Sequence, residues 1–246
     1  MPEWSTERFR GLNALLQVPV LRPIARTLID PMKALRRQMR FPGSSSYWEE
    51  RYRAGGTSGA GSYGRLARFK AEILNDFVTQ QNIASVAEFG CGDGAQLALA
   101  HYPNYVGIDV AASSIELCRE RFAQDTTKRF HLAGELPAAL AGFDLALSLD
   151  VIYHLVEDAV FNTYMTQLFA HSGRFVAIYA SNTDRKTDSP HVRHRQFSRW
   201  IDRNAPHWRL WRHVPNRYPF DPAEPDNSSF ADFYFFHRDL EESQRP

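Results

Sequence analysis

The chain shows two hydrophobic patterns, one typical of amphipathic helices and one typical of buried strands. Between residues 66 and 80, Leu66, Phe69, Ile73 and Phe77 recur on one helical face. The next segment, Ser85–Phe89, is short and mostly apolar, as in a strand buried within a parallel sheet. Strand-like and helix-like segments then alternate, and this order predicts an open α/β sheet.

The later segments extend the same pattern. We predict strands over 105–109, 130–132, 145–148 and 174–179, and helices over 112–123, 157–170 and through Trp200 and Ile201. Two final apolar segments, Trp208–Val214 and Phe230–Phe236, flank a proline-rich link. We expect these two segments to form an antiparallel pair that closes the sheet.

Residues 1–43 differ from the rest because apolar positions are interspersed with basic ones. Prolines at 19, 23 and 31 divide this segment into short helical stretches, and Pro42-Gly43 separates it from the aromatic segment that begins at Ser44. We predict a basic helical arm over 1–43 and a second domain over 44–246. The arm is expected to pack on its own domain, and the alternative is peripheral contact with an anionic membrane surface or a partner.

Residues 44–80 begin with aromatic residues and continue with a glycine-rich loop. Tyr47, Trp48, Arg51 and Tyr52 fall at helical spacing, and five glycines follow between residues 55 and 64. A flexible loop of this kind beside an active site behaves as a lid. The alternative is an aromatic cluster that simply packs the first helix onto the sheet.

The strongest chemical signal follows the strand Ser85–Phe89. Gly90, Gly92 and Gly94 stand at alternate positions, where the lack of a Cβ lets backbone amides approach a ligand closely, and a short helix is predicted over Ala95–Ala100. The glycines alone also satisfy a loose dinucleotide fingerprint. Glu88 and Asp93 oppose phosphate and suit a cationic ligand.

A second strand ends at Asp109, about twenty residues after the turn, where a carboxylate is placed to accept hydrogen bonds from ribose hydroxyls. With this residue, the sequence resembles the class I S-adenosylmethionine-dependent methyltransferases. Their first motif, E/DxGxGxG, is matched by Glu88, Gly90, Gly92 and Gly94, and the segment 142–155 looks like their fourth strand and the loop beside the reactive sulfonium. The resemblance covers roughly residues 84–181.

The resemblance implies a Rossmann-like, doubly wound α/β fold with a seven-stranded, mostly parallel sheet and an antiparallel C-terminal strand, preceded by the helical extension. It implies S-adenosyl-L-methionine as cofactor. The segment Tyr47–Tyr52 is also similar to a cap found in some of these enzymes, so that Tyr47 and Arg51 would meet the aminoacyl end of the cofactor. The residues expected at the cofactor are Tyr47, Arg51, Glu88, Phe89, Gly90, Cys91, Gly92, Asp93, Asp109, Val110 and Asp150.

Composition narrows the function classes. The chain has 246 residues and a formal net charge of +1, which argues against a general nucleic-acid binder. It has neither an apolar run of membrane-spanning length nor the pattern of a secretory signal, so we expect a cytoplasmic protein. Its two cysteines, Cys91 and Cys118, suggest neither a disulfide framework nor a metal cluster.

Methyl transfer needs a general base only when the nucleophile keeps its proton at neutral pH. His154 is the first candidate base because it follows the predicted strand 145–148 and an imidazole titrates near neutrality. Asp150 is the second candidate and Tyr153 the third. A loop histidine hydrogen-bonded to the backbone is an equally plausible reading of His154.

A basic segment follows the predicted strand 174–179. The residues expected to bind an anionic group of the substrate are His191, Arg193, His194 and Arg195, with Arg185 and Lys186 nearby. The alternative is a solvated loop whose arginines pair with Glu157 and Asp158. Its histidines show no metal-ligand spacing.

These observations predict a methyltransferase acting on a small molecule or a glycan, at an oxygen nucleophile of an anionic substrate. The alternatives are a protein or RNA methyltransferase, which the near-neutral charge disfavours, and a non-catalytic subunit that binds S-adenosylmethionine. A nicotinamide-dependent oxidoreductase is a further alternative, which Glu88 disfavours.

Overall fold

The computed structural model describes residues 41–137 and 140–239. The described residues of Gly43–Thr187 and His191–Pro246 belong to one compact unit. Its α-helices are α1 (Ser44–Arg53), α2 (Gly64–Gln80), α3 (Ala112–Arg121), α4 (Asp158–Ala170) and α5 (Phe197–Asn204). Its strands are β1 (Ser85–Phe89), β2 (Asn104–Asp109), β3 (Lys128–Leu132), β4 (Phe143–Leu149), β5 (Ser172–Ala180), β6 (Trp208–Val214) and β7 (Asp232–Arg238).

The strands form a single seven-stranded sheet in the order β3-β2-β1-β4-β5-β7-β6. Strands β1 to β5 pair in parallel, whereas β7 runs antiparallel to both β5 and β6. The predicted doubly wound Rossmann-like fold and its antiparallel closing pair are therefore confirmed. The carboxyl ends of β1, β2, β4 and β5 meet at one edge, where open α/β sheets bind their ligands.

One predicted element is wrong. Instead of a helix over Ala95–Ala100, the chain forms only a 3-10 turn over Leu97–Leu99. The side chain of Asn75 in α2 donates to the carbonyl of Leu99 (3.0 Å) and accepts from the amide of His101 (2.8 Å). Because these contacts take the backbone groups that a helix would use next, the chain turns into an extended conformation before β2.

Two apolar layers cover the sheet. One layer packs α2 against the sheet through Phe69, Leu74, Phe77, Val86, Leu145 and Phe233. The other packs α4 and α5 through Met165, Leu168, Ile201, Ala87 and Val176. Both layers leave the carboxyl edge of the sheet free for the segments that follow each strand.

The basic arm was predicted over residues 1–43. Residues 1–40 lie outside the described residues, and so does the membrane contact expected for them. Within the described part of the chain, no helix is both long enough and apolar enough to cross a bilayer.

Candidate active site

A cavity of about 460 Å³ lies at the carboxyl edge of the sheet. Its walls come from the turn after β1, the end of β2, the segment after β4 and the covering elements α1 and residues 57–63. Its lining includes Trp48, Ser58, Lys70, Glu88, Gly90, Gly92, Asp109, Val110, Ala133, Asp150 and His154. This volume is in the range of small-molecule and cofactor sites.

The glycine turn after β1 leaves no room for side chains. Gly90 has φ +82°, and a Cβ there would lie 2.4 Å from Cγ2 of Val151. Gly92 has φ +58°, and a Cβ there would lie 2.3 Å from Oγ of Ser58. Only glycine therefore combines this left-handed backbone with such close packing.

Two buried carboxylates flank the turn. Glu88 is 3% exposed and accepts a hydrogen bond from the Tyr105 hydroxyl at 2.7 Å. Burial raises the pKa of Glu88 to about 7, although Tyr105 and the charge of Lys70 oppose this rise. Asp109 accepts from the amides of Gly92 and Ala111, both at 2.9 Å, and burial raises its pKa.

Asp93 also lies in the turn, but its carboxylate binds residues of the segment 57–63, whereas that of Glu88 binds Tyr105. Its Oδ2 accepts from the Ser58 amide (3.0 Å) and from the Tyr63 hydroxyl (2.7 Å), while its own amide donates to Ser58 Oγ (3.0 Å). Asp93 therefore fastens residues 57–63, which we call the lid, onto the glycine turn. Its carboxylate is not part of the cavity lining.

The lid also lies against Asp150, the residue after β4. A Cβ on Gly61 would be 2.8 Å from Oδ2 of Asp150, so the lid approaches this closely only through glycine. Asp150 has φ +60°, and Tyr153 donates to its Oδ1 at 2.7 Å. A non-glycine residue held in a left-handed conformation at a cavity wall is typical of functional sites.

Lys70 is a site residue that the sequence analysis missed. Its side chain is 1% exposed, lines the cavity and donates to Oδ2 of Asp150 at 2.6 Å. The sequence contained a signal for this residue, because Lys70 lies four residues after Leu66 and therefore on the apolar face of α2. A buried lysine on such a face needs a partner of opposite charge.

Helix α1 spans the cavity and is fastened on both sides. The Ser44 hydroxyl and amide both donate to the carboxylate of Glu157, which precedes α4, at 2.5 and 2.9 Å. On the other side, Glu49 accepts from the hydroxyl (2.7 Å) and the amide (3.2 Å) of Ser113 in α3. The aromatic residues predicted to belong to a cap thus lie over the site.

The cap continues as a stack of rings. Tyr47 stacks on His191 (centroids 4.7 Å apart, 11° between planes), and His191 stacks on His154 (5.7 Å, 10°). Trp48 meets His154 edge-on at 4.9 Å. Arg51 donates from Nε to the Thr57 carbonyl at 2.6 Å, so it stabilises the start of the lid.

His154 lies at the cavity wall with one nitrogen fixed. Its Nδ1 is 3.0 Å from the His191 carbonyl, which can only accept, so Nδ1 carries the proton and Nε2 has a free lone pair. Among the described residues, the His191 carbonyl is the one group that makes a hydrogen bond to the His154 ring. Burial lowers the pKa of His154 to about 4, and the imidazole is therefore neutral at pH 7.

In the basic segment after β5, the arginines and His194 have different partners. Arg195 is buried, donates to the carbonyls of Leu155 and Val156 and pairs with Asp158 at 2.7 Å, and Arg193 also pairs with Asp158 at 3.1 Å. These two arginines thus hold the segment against α4 through Asp158, the pairing named in the alternative interpretation, but Arg195 is buried rather than solvated. His194 is buried and its Nδ1 is 2.7 Å from the Ser181 hydroxyl.

The structure therefore brings together part of the expected set. The cavity lining contains Glu88, Phe89, Gly90, Cys91, Gly92, Asp109, Val110, Asp150 and His154. It leaves out Tyr47, Arg51, Asp93, Tyr153, His191, Arg193, His194 and Arg195, which surround the lining residues or support them. Within residues 41–137 and 140–239, no cluster of side chains has the composition of a metal site.

The lining suits S-adenosylmethionine. The bare glycine turn admits a ligand to within backbone contact, and Asp109 can accept further hydrogen bonds from a ribose. Glu88 supplies a negative charge for an ammonium group, and Lys70 supplies a buried positive charge for a carboxylate. Diphosphate would meet the two buried acids, which repel it.

Comparison with known proteins agrees with this fit. Residues 87–176 match the family described as "Methyltransferase domain". No curated protein matched the sequence. Among solved structures, the N-methyltransferase NodS from Bradyrhizobium japonicum WM9, in complex with S-adenosyl-l-homocysteine, is similar with a TM-score of 0.55 at 16% identity, over 71% of this chain and 88% of that chain.

Two further structures have the same fold. Magnesium protoporphyrin IX methyltransferase (ChlM) from Synechocystis PCC 6803 with bound SAM has a TM-score of 0.53 at 13% identity, over 71% of this chain and 81% of that chain. The methyltransferase domain of bacterial CtHen1 has a TM-score of 0.54 at 16% identity, over 70% and 97%. Residues 87–176 therefore match the methyltransferase domain, and the seven-stranded sheet that the surrounding chain completes has the fold of these solved methyltransferases.

Proposed function

We propose that this methyltransferase acts on a small-molecule or glycan acceptor and methylates an oxygen of an anionic substrate. The observation that carries the proposal is His154, which presents an unprotonated Nε2 at the cavity wall, with no hydrogen bond to it from residues 41–137 or 140–239. A hydroxyl keeps its proton at neutral pH, so its methylation benefits from a nearby base.

S-adenosylmethionine, when bound, supplies a methyl group on a positively charged sulfur. His154 then accepts the hydroxyl proton at Nε2, and its Nδ1 hydrogen bond to the His191 carbonyl keeps the ring in the required tautomer. Asp150 has both oxygens occupied by Lys70 and Tyr153. Its role is therefore to orient these two side chains beside the acceptor.

The covering elements favour a small acceptor. Helix α1 and the lid close over the cavity, and Ser58 and Gly61 pack directly on the glycine turn and on Asp150. Such a cover excludes water and holds the reacting groups in line. A formal charge of +1 gives little general attraction for a nucleic-acid backbone.

The acceptor class is tested with the purified chain, methyl-tritiated S-adenosylmethionine and a cell extract divided into metabolite, RNA and protein fractions. We expect the label in the metabolite fraction. Glu88→Gln, which weakens the cofactor site, is the control for enzyme-dependent labelling. Label that appears in the RNA or protein fraction instead would overturn the small-acceptor proposal.

A further inference from the structure

Two charged side chains of the cavity lining, one acidic and one basic, lie on the side of the sheet that α2 covers. Side chains alternate between the two faces of a strand, and Ala87 and Phe89 of β1 pack in the layer of α4. Glu88, between them, therefore faces the layer of α2, where it contacts Tyr105. Lys70 comes from α2 itself, so the two charges stand on the same side of the cavity.

The opposite wall of the cavity is uncharged. The lining residues of α4 and of the segment before it are Leu155, Ala159, Val160, Thr163, Tyr164 and Gln167. None of these described residues carries a charge. S-adenosylmethionine has a zwitterionic aminoacyl group at one end and an uncharged adenine at the other, with the ribose between them. Because Asp109 suits the ribose, charge complementarity favours the aminoacyl end on the α2 side and the adenine on the α4 side.

Gln96 is a further polar residue on the α2 side, and the proposed function does not use it. It follows the last glycine of the turn by two residues, lines the cavity and is 6% exposed. Its Nε2 donates to the Ala67 carbonyl of α2 at 3.1 Å, and this carbonyl can only accept. Ala67 lies three residues before Lys70 on the same face of the helix. The bond therefore fixes the orientation of the amide and holds it beside that face.

The amide oxygen of Gln96 is a buried acceptor that lacks a donor. Among residues 41–137 and 140–239, no group makes a hydrogen bond to its Oε1. Such an atom is unfavourable, and native proteins retain few of them. Three described residues have one, namely Gln96, His131 and Tyr179, and of these only Gln96 lines the cavity. A bound ligand can therefore supply the missing donor at Gln96.

The neighbouring charged groups also retain capacity for a ligand. Tyr105 donates to Oε2 of Glu88, and Oε1 accepts from none of the described residues. The ammonium group of Lys70 has three donors, of which one meets Asp150. The α2 side thus offers two acceptor oxygens and further donors, which is the set that a zwitterionic aminoacyl group requires.

We propose that Gln96 is a specificity-determining residue of the cofactor site, which recognises the α-ammonium group of S-adenosylmethionine. The ammonium donates to Oε1 of Gln96 and to the carboxylate of Glu88, while the α-carboxylate accepts from Lys70. Gln96 is neutral, so it adds a directed acceptor beside Glu88 without placing a second negative charge there. This assignment concerns the cofactor and is independent of the acceptor class.

The test uses two probes that differ in one group, S-adenosylhomocysteine and its deaminated analogue, in which hydrogen replaces the α-ammonium. Calorimetry on the full chain measures both dissociation constants. The wild type should bind S-adenosylhomocysteine more tightly by about tenfold or more. Gln96→Met keeps the length of the side chain but removes its oxygen. It should weaken S-adenosylhomocysteine about tenfold and the deaminated analogue by less than about twofold.

Gln167→Met is the matched control, because Gln167 lines the uncharged wall on α4. This replacement should leave the ratio of the two dissociation constants unchanged. Gln96→Leu is the second variant of the tested residue and should change the ratio as Gln96→Met does. Binding of 5′-methylthioadenosine, which has the nucleoside but no aminoacyl end, reports the folding of each variant.

Three outcomes overturn the inference. In the first, the deaminated analogue binds the wild type as tightly as S-adenosylhomocysteine does. In the second, Gln96→Met and Gln96→Leu weaken both probes by the same factor or leave both unchanged. In the third, neither variant folds, which would assign the Gln96 amide to the fold through its bond to Ala67. If the wild type binds neither probe, the methyltransferase assignment itself is refuted.

Discussion

Glu88 is the residue in which burial and function are most directly linked. Its carboxylate lies in an apolar strand, so its neutral form is favoured in the free protein and its pKa rises to about 7. A cationic group in the cavity favours the ionised form. Ligand binding at this site is therefore expected to release a proton near neutral pH.

The first prediction concerns this linkage. The affinity for S-adenosylmethionine should rise between pH 6 and pH 8, because Glu88 ionises over that interval and pairs with the cofactor's ammonium group. Glu88→Gln should remove the pH dependence and weaken binding about tenfold. Calorimetry at several pH values measures both effects, and an unchanged pH slope in Glu88→Gln would assign the linkage to another group.

The second prediction concerns His154. At saturating cofactor, His154→Asn should lower kcat by about 10²-fold or more, because the amide replaces the Nδ1 donor but cannot accept a proton at the position of Nε2. S-adenosylhomocysteine affinity should stay near that of the wild type. Near-normal turnover would leave His154 with the structural role that its hydrogen bond to the His191 carbonyl also allows.

His154 also predicts a pH dependence of stability. Its pKa is about 4 in the folded chain and about 6.5 when unfolded, so between these values the unfolded chain binds more protons. The free energy of unfolding should therefore fall as the pH drops from 6.5 to 4. Urea titrations should show a smaller fall in His154→Asn, and identical slopes in both proteins would contradict the shift.

At the residue scale, the sequence predicted which residues lie near the site better than it predicted the partners of their side chains. Glu88, Asp109 and the glycines of the turn were recognisable because their spacing is fixed by a strand and a tight turn. Asp93 belongs to the same stretch, yet its carboxylate holds the lid. Lys70 and Arg195 show the same point, because the partner of each lies about 40 to 80 residues away and only the folded chain brings them together.

At the scale of elements, the hydrophobic pattern predicted the strands and the long helices. The position of the lid, in contrast, depends on two packing contacts. Gly92 accommodates Ser58, and Gly61 accommodates Asp150. The predicted helix over Ala95–Ala100 does not form for a comparable reason, because the side chain of Asn75 in α2 makes hydrogen bonds to the backbone of Leu99 and His101. The local hydrophobic pattern thus predicts that an element forms, whereas contacts with side chains distant in sequence determine where it ends.

The fourth prediction tests the lid. Gly61→Ala places a methyl group 2.8 Å from Asp150 Oδ2 and should displace residues 57–63 from the cavity. We expect weaker S-adenosylhomocysteine binding, by about tenfold, and faster proteolysis of the loop. Gly55→Asn is the matched control, because Gly55 has open space around it and asparagine tolerates its φ of +77°.

At the scale of the whole molecule, the ion pair between Lys70 and Asp150 joins α2 to the end of the central strand β4 across 80 residues of sequence. Lys70 is 1% exposed and Asp150 is 15% exposed. Removing one member of such a pair leaves the other charge buried without compensation. The pair therefore couples the stability of the fold to the geometry of the cavity.

The last prediction concerns that coupling. Lys70→Met and Asp150→Asn should each lower the free energy of unfolding by about 3 kcal/mol, and the double variant should lose less than the sum, because no charge then remains buried alone. Glu72→Gln, which breaks an exposed pair with Arg217 from the same helix, should cost under about 1 kcal/mol. Urea titrations at pH 7 measure all four variants. If Lys70→Met costs no more than Glu72→Gln, the buried pair does not stabilise the fold, and Lys70 is then retained for its positive charge in the cavity.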